Sequence, residues 1–388
     1  MTFYGQEKVE YNARLCLMNM AVHGLTGVIK SGDEANTFYH DAHNLAGCCD
    51  YVMANPPFNV DKVKSESTSS AGRLPFGLPT VNKNKEVGNA NYLWISYFYA
   101  YLNEVGRAGF VMASSATDSQ GKDKDIRHKL IETGHVDVVI SVGNNFFYTK
   151  SLPCSLWFFD RGKKQELLDK VLFIDARNYY TVADRTMNEW SEWQLKNLTA
   201  IVWLYRGETE KYKNLLREYL RYFSTTKEYL IGKDAKRVFS AVEGIEDFED
   251  MKDALLDEIE AEKQDCKEKL AVASKKERKN IQNFSDGYIE MLRSDLQILN
   301  EAIWLTDKFG NGNYKDISGI CKIANLTEIE EKGWSLTPGA YVGVAPVEDD
   351  GVNFAERMAE IHQELLGLQA ESTALMDTIS SNWKEMGL

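Results

Sequence analysis

Two adjacent prolines, Pro56 and Pro57, follow the apolar run Asp50-Tyr51-Val52-Met53-Ala54 and constrain everything around them. Each fixes φ and removes a backbone donor, so a strand that runs into them cannot extend its ladder. The predicted strand therefore ends at Ala54, and Asn55-Pro56-Pro57-Phe58 forms a stiff corner at its C-terminal end. Downstream, strand signals alternate with helical periodicity. Asn91 to Leu102 spaces Leu93, Trp94, Tyr97, Phe98, Tyr101 and Leu102 by one, three and four residues, which is one apolar face of a helix and reads as core rather than as a stacking platform. Gly106-Arg107-Ala108-Gly109 turns into a strand at Phe110 to Ala113, and a helix around Asp125 to Glu132 stops at Gly134. Strands at Val136 to Val142, Cys154 to Phe159 and Val171 to Ile174 complete the series. This alternation predicts an α/β fold whose mostly parallel sheet is covered on both faces, with the last two strands as candidates for an antiparallel pair.

The flanking regions read differently. Tyr11 to His23 is expected to be an amphipathic helix that buries Leu15, Met18, Met20 and Val22 and stops at Gly24. The Ser-rich stretch from Asp61 to Gly72 has the composition of a mobile loop, long enough to close over something. Beyond Ala176 helix takes over. From Glu246 to Phe309, Met251, Leu255 and Ile259, then Met291, Leu292, Leu296, Leu299 and Ile303, predict two helices folded as a hairpin around the basic Lys275-Lys276-Glu277-Arg278-Lys279. A solvated arm is the preferred reading of that hairpin over a DNA clamp. Phe354, Met358, Ile361, Leu365, Leu368, Leu375 and Ile379, with Ser372 at the skipped position, form a coiled-coil seam that would pack equally well on its own domain or on a partner. The expected division is 1–176, 177–312 and 313–388.

At 388 residues and 44% hydrophobic the chain has enough apolar content for two or three folded units. A formal charge of -13 excludes a protein that grips nucleic acid over its whole surface, because phosphate binding is driven by Lys and Arg. Six cysteines without CxxC spacing, and no apolar run resembling a signal peptide or a membrane span, point to reduced thiols in a cytoplasm. His40 and His43 lack a third ligand at metal-site spacing, so no metal is expected.

Asn55-Pro56-Pro57-Phe58 suits the problem of methylating an amino group on an aromatic base. The lone pair of such an amine is delocalised into the ring, which makes it a poor nucleophile. Two acceptors aimed at its N–H groups, the Asn55 amide oxygen and the Pro56 carbonyl, draw the nitrogen toward tetrahedral geometry and turn its lone pair toward a methyl donor. Phe58 offers a flat face for a flipped-out base. Similar tetrapeptides serve enzymes acting on adenine, cytosine N4, RNA or protein glutamine, so the motif leaves the substrate open.

Further segments narrow it. Phe3-Tyr4-Gly5-Gln6-Glu7, Met18-Asn19-Met20-Ala21-Val22-His23-Gly24, Leu74-Pro75-Phe76-Gly77, Asn89-Ala90-Asn91-Tyr92, Phe146-Phe147-Tyr148 and Leu336-Thr337-Pro338-Gly339-Ala340-Tyr341-Val342-Gly343 stand in this order around the corner motif. With them the chain resembles the modification subunit of type I restriction-modification systems over nearly its full length. The resemblance implies a doubly wound, Rossmann-like methyltransferase sheet followed by a mainly helical C-terminal region. It implies S-adenosylmethionine as cofactor and adenine N6 in duplex DNA as the methylated atom, with Asn55, Pro56, Pro57 and Phe58 catalytic. Glu7 would take the cofactor ribose, Asn36 and Thr37 its adenine with Asp41 as the alternative, and Phe147 would join Phe58 on the flipped base. The implied partners are DNA, a specificity subunit docked by the C-terminal segment and, as further candidates, a restriction subunit. Ala340 stands where the family usually has Arg. The resemblance departs at the front: the family's N-terminal helical domain, first strand and glycine-rich loop have no counterpart before Met1. The expectation is a sheet lacking its first strand, completed by the rest of a longer protein or by a partner chain; the alternative is a truncated, inactive methyltransferase that acts as a scaffold for the specificity subunit.

Overall fold

Apolar runs bounded by turns lay down a βαβ unit first. In the computed structural model, which describes residues 1–148, 150–224, 227–230, 236–239, 242–345 and 354–385, β1 (Phe3–Glu7) and β2 (Gly27–Ser31) pair in parallel across the helix α1 (Glu10–Val22). The described chain divides into two units, Met1–Val344 and Ala345–Leu388. Within the first, β3 (Cys49–Ala54), β4 (Leu102–Ala113), β5 (Val136–Val142), β6 (Cys154–Asp160), β7 (Lys170–Asp175) and β8 (Cys321–Asn325) make a six-stranded sheet in the order β8-β7-β5-β6-β4-β3. β3 runs parallel to β4 and β5 parallel to β7. β6 lies antiparallel between β4 and β5, and β8 antiparallel to β7. The antiparallel strand expected late in the series is thus β6, but its neighbours are β4 and β5 rather than β7. The C-terminal ends of the four parallel strands share one edge of the sheet, and Asn55 emerges there.

One face of the sheet is covered by α2 (Asn91–Tyr101) and α3 (Lys122–Glu132). Tyr92, Leu93, Ile95 and Tyr97 of α2 are wholly buried, the behaviour of a helix that is apolar on nearly every side. Gly134 ends α3 with a positive φ, and a Cβ there would sit 2.7 Å from the Leu168 carbonyl oxygen, so both conformation and space require glycine. The other face carries α4 (Glu192–Tyr205), α5 (Thr209–Phe223) and the C-terminal half of a hairpin made by α6 (Phe248–Val272) and α7 (Lys275–Phe309). α4 opens on a Ser191–Gln194 capping box. It runs down the sheet to Arg206, whose guanidinium pairs with the buried Asp137 near the start of β5.

The last strand of the sheet comes from far along the chain. β8 was not among the predicted strands, because Cys321-Lys322-Ile323-Ala324-Asn325 is too short and mixed to announce itself. After it, residues 334–342 fold back over the α3 side of the sheet. Tyr341 stacks on Phe173 with ring centroids 3.9 Å apart and planes 3° from parallel. The fully buried Arg127 of α3 donates to the Trp334 carbonyl (2.6 Å), the Ser119 carbonyl (2.8 Å) and the Tyr92 hydroxyl (3.0 Å).

Two expectations about the front half are corrected. The apolar residues of α1 are not a buried stripe: only Ala13 is buried, while Leu15, Met18 and Val22 are 45%, 64% and 83% exposed. No element among the described residues covers that side of the helix, and the same holds for β3, where Tyr51 and Met53 are 66% and 91% exposed. The Ser-rich segment is not an open loop. Residues 63–64 pair with 86–87, and Ser65–Ser70 forms a short helix. Ser65 and Thr68 there donate to the carbonyls of Lys85 and Lys64. Short hydroxyl side chains satisfied backbone groups locally, which composition alone reads as loop.

The second unit is the helix α8 (Phe354–Glu385), on which Met358, Ile361, Leu365, Leu368, Leu375 and Ile379 are exposed.

Arg127 joins α3 to the returning C-terminal segment. Replacing it with Met is expected to leave one buried and two half-buried acceptors short of a partner and to lower stability by about 3 kcal/mol, read as a fall in the urea midpoint. Lys should rescue little, since it lacks the planar fork that reaches three acceptors at once.

Candidate active site

The corner after β3 is held by asparagines. Pro56 is buried while Asn55 and Pro57 are exposed, so the ring of Pro56 anchors the turn and leaves the Asn55 carboxamide at the surface. Asn59 has a φ of 55°, a left-handed conformation that Asn tolerates better than most residues. Asn91, 2% exposed at the start of α2, accepts from the Asn59 N–H (2.9 Å) and donates to the Asn59 amide oxygen (2.9 Å), while Asn89 donates to the same oxygen (3.1 Å). These bonds pin the corner to the most buried helix in the protein.

A cavity of about 600 Å³ opens beside it. One wall is β1 through Glu7 and Lys8; the opposite wall is β3 through Asn55, Pro56 and Pro57; the floor includes Phe38, Asp41 and Trp94. Among the described residues β1 and β3 do not pair with each other, and each has a strand partner on one side only, β2 and β4. Of the residues singled out from sequence, Glu7, Asn36, Thr37, Asn55, Pro56 and Pro57 therefore line one space. Phe58 and Phe147 form a neighbouring pair, ring centroids 6.3 Å apart and 76° between planes. Of the three aromatics in the Phe146-Phe147-Tyr148 run, Phe146 packs on Trp190 and Tyr148 is 91% exposed, so Phe147 alone meets Phe58.

Several side chains in the cavity are already engaged. Glu7 accepts from the Val9 N–H (2.8 Å) through one carboxylate oxygen. Asn36 accepts from the Phe38 N–H (3.1 Å), and the Thr37 hydroxyl accepts from Gln6 (3.0 Å). Gln6, given no role in sequence beyond its place in the Phe3–Glu7 segment, also donates to the His40 carbonyl and accepts from the Ala42 N–H, and so ties β1 to the 36–42 segment. Arg73, also missed, is 2% exposed and bridges the Thr37 carbonyl (2.9 Å) and the Tyr101 hydroxyl (2.8 Å), with its guanidinium 4.4 Å from the Tyr97 ring centroid. Its only sequence signal was its place directly before Leu74-Pro75-Phe76-Gly77. Burial pushes the Tyr97 and Tyr101 phenols up to about 12 against the opposing pull of Arg73, so both stay neutral. Burial likewise raises the Cys49 thiol, which disfavours a thiolate on this wall.

Two buried polar atoms of the lining make no direct hydrogen bond among the described residues, Asp41 Oδ1, an acceptor, and Trp94 Nε1, a donor, although the Asp41 carboxylate also faces the Tyr101 hydroxyl. An orphaned acceptor and donor in an aromatic floor, with a carboxylate at the rim, match a purine nucleoside: exocyclic amine, ring nitrogens and ribose hydroxyls. The residues present fit the nucleoside part of an S-adenosylmethionine-like group.

A family model described as N-6 DNA Methylase matches residues 1–220, more than half of the chain. The chain belongs to the N-6 DNA methylase family. It is 27% identical over its whole length to the type I restriction enzyme MjaIX methylase subunit of Methanocaldococcus jannaschii, of which it covers 50%. It is 25% identical to the HindI methylase subunit of Haemophilus influenzae, of which it covers 62%. The chain thus spans about half to three fifths of the length of these relatives. A solved type I methyltransferase subunit from Streptococcus thermophilus overlaps 52% of this chain and 41% of its own at 22% identity, with a TM-score of 0.45. No helix among the described residues is long and apolar enough to cross a membrane, and none of their side chains cluster as a metal site.

In this member of the N-6 DNA methylase family the Asn59–Asn91 bonds set the position of Asn55 at one remove. Asn91→Ala is expected to cost about 1–3 kcal/mol of stability and to raise hydrogen exchange at the Asn59 amide ahead of the amides of β3. Unchanged exchange there would show that the prolines alone hold the corner.

Proposed function

We propose that this chain transfers a methyl group from S-adenosylmethionine to adenine N6 of duplex DNA, as the modification subunit of a type I restriction-modification complex. The observation that carries this reading is the Asn55 carboxamide, exposed and without a hydrogen-bond partner among the described residues, at the end of a strand on the wall of a nucleoside-sized cavity. Asn55 and the Pro56 carbonyl would accept the two N–H groups of the target amine and direct its lone pair into the cavity. Phe58 and Phe147 sit edge to face; a flipped adenine stacks on Phe58 with Phe147 beside it. When bound, the cofactor supplies an electrophilic methyl group on a sulfonium. Glu7 accepts from the ribose hydroxyls, and the 36–41 segment meets the adenine, with Asp41 rather than the locally engaged Asn36 side chain offering the free oxygen.

The two open edges that face the cavity, on β1 and β3, fit a strand from outside residues 1–388 that pairs with both and closes the cofactor site. The exposed Tyr51 and Met53, and the uncovered side of α1, fit a covering element of the same origin. Duplex DNA, a specificity subunit and the chain that brings this strand are the proposed partners, with the α8 seam as the docking element for the specificity subunit. The same open edges favour a second reading, a scaffold that keeps its subunit contacts without holding cofactor.

Calorimetric titration of the full chain with S-adenosylmethionine separates the two: measurable heat, diminished in Glu7→Gln, supports the enzyme, and none supports the scaffold. In the assembled complex Asn55→Ala is expected to abolish methyl transfer to adenine, a loss of at least two to three orders of magnitude, with assembly and cofactor binding unchanged. Retained turnover would remove Asn55 from the chemistry.

A further inference from the structure

The α6–α7 hairpin segregates charge along its length. Residues 243–262 at its base carry ten carboxylates against one lysine, whereas 264–282 around its tip carry six basic residues against three acidic ones. Cations nearer the base are neutralised in place, Lys252 by Glu249, Lys263 by Glu260 and Lys269 by Asp265. Lys275, Lys276, Arg278 and Lys279 are all exposed, and none has an ion pair among the described residues. They also occupy the first turns of α7, where the helix dipole disfavours cations, so neither local pairing nor helix stability accounts for them.

The contacts of α7 fix where this tip lies. Tyr212, at the start of α5, donates to the Gly310 carbonyl just past the end of α7. That end lies toward the start of the parallel strands, since Arg206 just before α5 pairs with Asp137 at the beginning of β5. Going back along α7, Glu301 accepts from Gln194 and Asn197 in the upper part of α4, and Gln297 donates to Thr181, a few residues past the C-terminal end of β7. Tyr222, at the far end of α5, donates to Asp295. Residues 275–294 therefore project beyond the sheet edge from which Asn55 emerges, for about 30 Å at 1.5 Å per residue. Facing helix residues stiffen the arm: Met251, Leu255 and Ile259 of α6 and Tyr288, Ile289 and Leu292 of α7 are buried between the two helices and the body.

We propose that the basic tip, Lys275, Lys276, Arg278 and Lys279, is a contact for the phosphate backbone of duplex DNA, reached by the arm alongside a target held at the Asn55 corner. The proposal rests on DNA being the substrate and adds to it a sequence-independent grip located away from the base pocket. It answers how a chain of charge -13 holds a polyanion: carboxylates crowd the base of the arm, and the unpaired cations stand at its end, where basic residues outnumber acidic ones six to three.

The test is the salt dependence of binding by the full chain to a fluorescein-labelled 40-base-pair duplex between about 50 and 200 mM KCl, for wild type and for Lys275→Gln/Lys276→Gln/Arg278→Gln/Lys279→Gln. Ser274 and Glu277 are kept, so the capping box at the start of α7 remains. The variant is expected to melt like wild type and to lower the slope of log K against log[salt] by about 2 to 3.5, at about 0.9 per phosphate contact. A 12-base-pair duplex should show a much smaller difference. An unchanged slope, or no DNA binding by the wild type, overturns the proposal. So does an unchanged slope with failed subunit assembly, which would make the tip a protein contact. Asn55→Ala should keep the wild-type slope. If wild type transfers no methyl group and the tip variant still loses slope, the methyltransferase reading fails and the DNA contact stands.

Discussion

Backbone groups of a strand need partners on both edges, and among the described residues β3 has them on one. Its ladder to β4 fixes the direction in which Asn55 leaves the sheet, and its open edge forms a wall of the cavity. Much else follows from that asymmetry. Nothing among the described residues covers the face of β3 that carries Tyr51 and Met53, so both stay in solvent, and on its open edge the β1–β2 pair stands as a separate ladder across the gap. Contacts across the floor, Gln6 to the 36–42 segment and Arg73 to Thr37 and Tyr101, keep the two halves of the cavity in place without a shared ladder. An arrangement like this holds its shape through side chains where a sheet would ordinarily use backbone.

The corner itself is stiff for a different reason. Prolines restrict φ at two consecutive positions, and the asparagine bonds between residues 59, 89 and 91 tie the exit of the turn to α2. Neither device uses the Asn55 side chain, which is exposed and has no hydrogen-bond partner among the described residues. Rigidity and availability are thus assigned to different residues, which suits the proposed hydrogen-bond catalysis of a weak nucleophile: acceptors for such a step must already point the right way, since movement during the reaction would cost part of the stabilisation they provide.

Sequence patterning read the centre of the fold well and its margins poorly, for physical reasons. β5, β6 and β7 lie within a residue of their predicted bounds because buried strands are continuous apolar runs flanked by turn residues. α2 was legible from its three- and four-residue spacing. The turn expected at 106–109 is instead part of β4, since the two glycines there pack closely, Gly106 against Cys49 and Gly109 under Phe158. β8 was hidden because its partner lies some 150 residues earlier, and local pattern carries no trace of such pairing. α1 failed in the opposite sense. Its apolar residues were read as a buried stripe, yet a stripe says only that something covers it, and within the described residues nothing does. For the cavity, acidic and amide residues at strand ends were visible in sequence, whereas Gln6, Arg73 and Trp94 were not, because their importance lies in which atoms they leave paired or unpaired.

Charge carries the remaining step. A net of -13 spread evenly would repel a polyanion from every side, but this molecule does not spread it evenly. Within the α6–α7 hairpin the carboxylates concentrate in residues 243–262, toward the protein body, and the free cations of residues 275–279 stand at the far end of the arm, about 30 Å beyond the sheet edge. At physiological salt the screening length is about 8 Å, so charges at the base of the arm barely reach its tip. The tip then behaves as an isolated basic patch, and the overall acidity of the chain does not decide what that patch attracts.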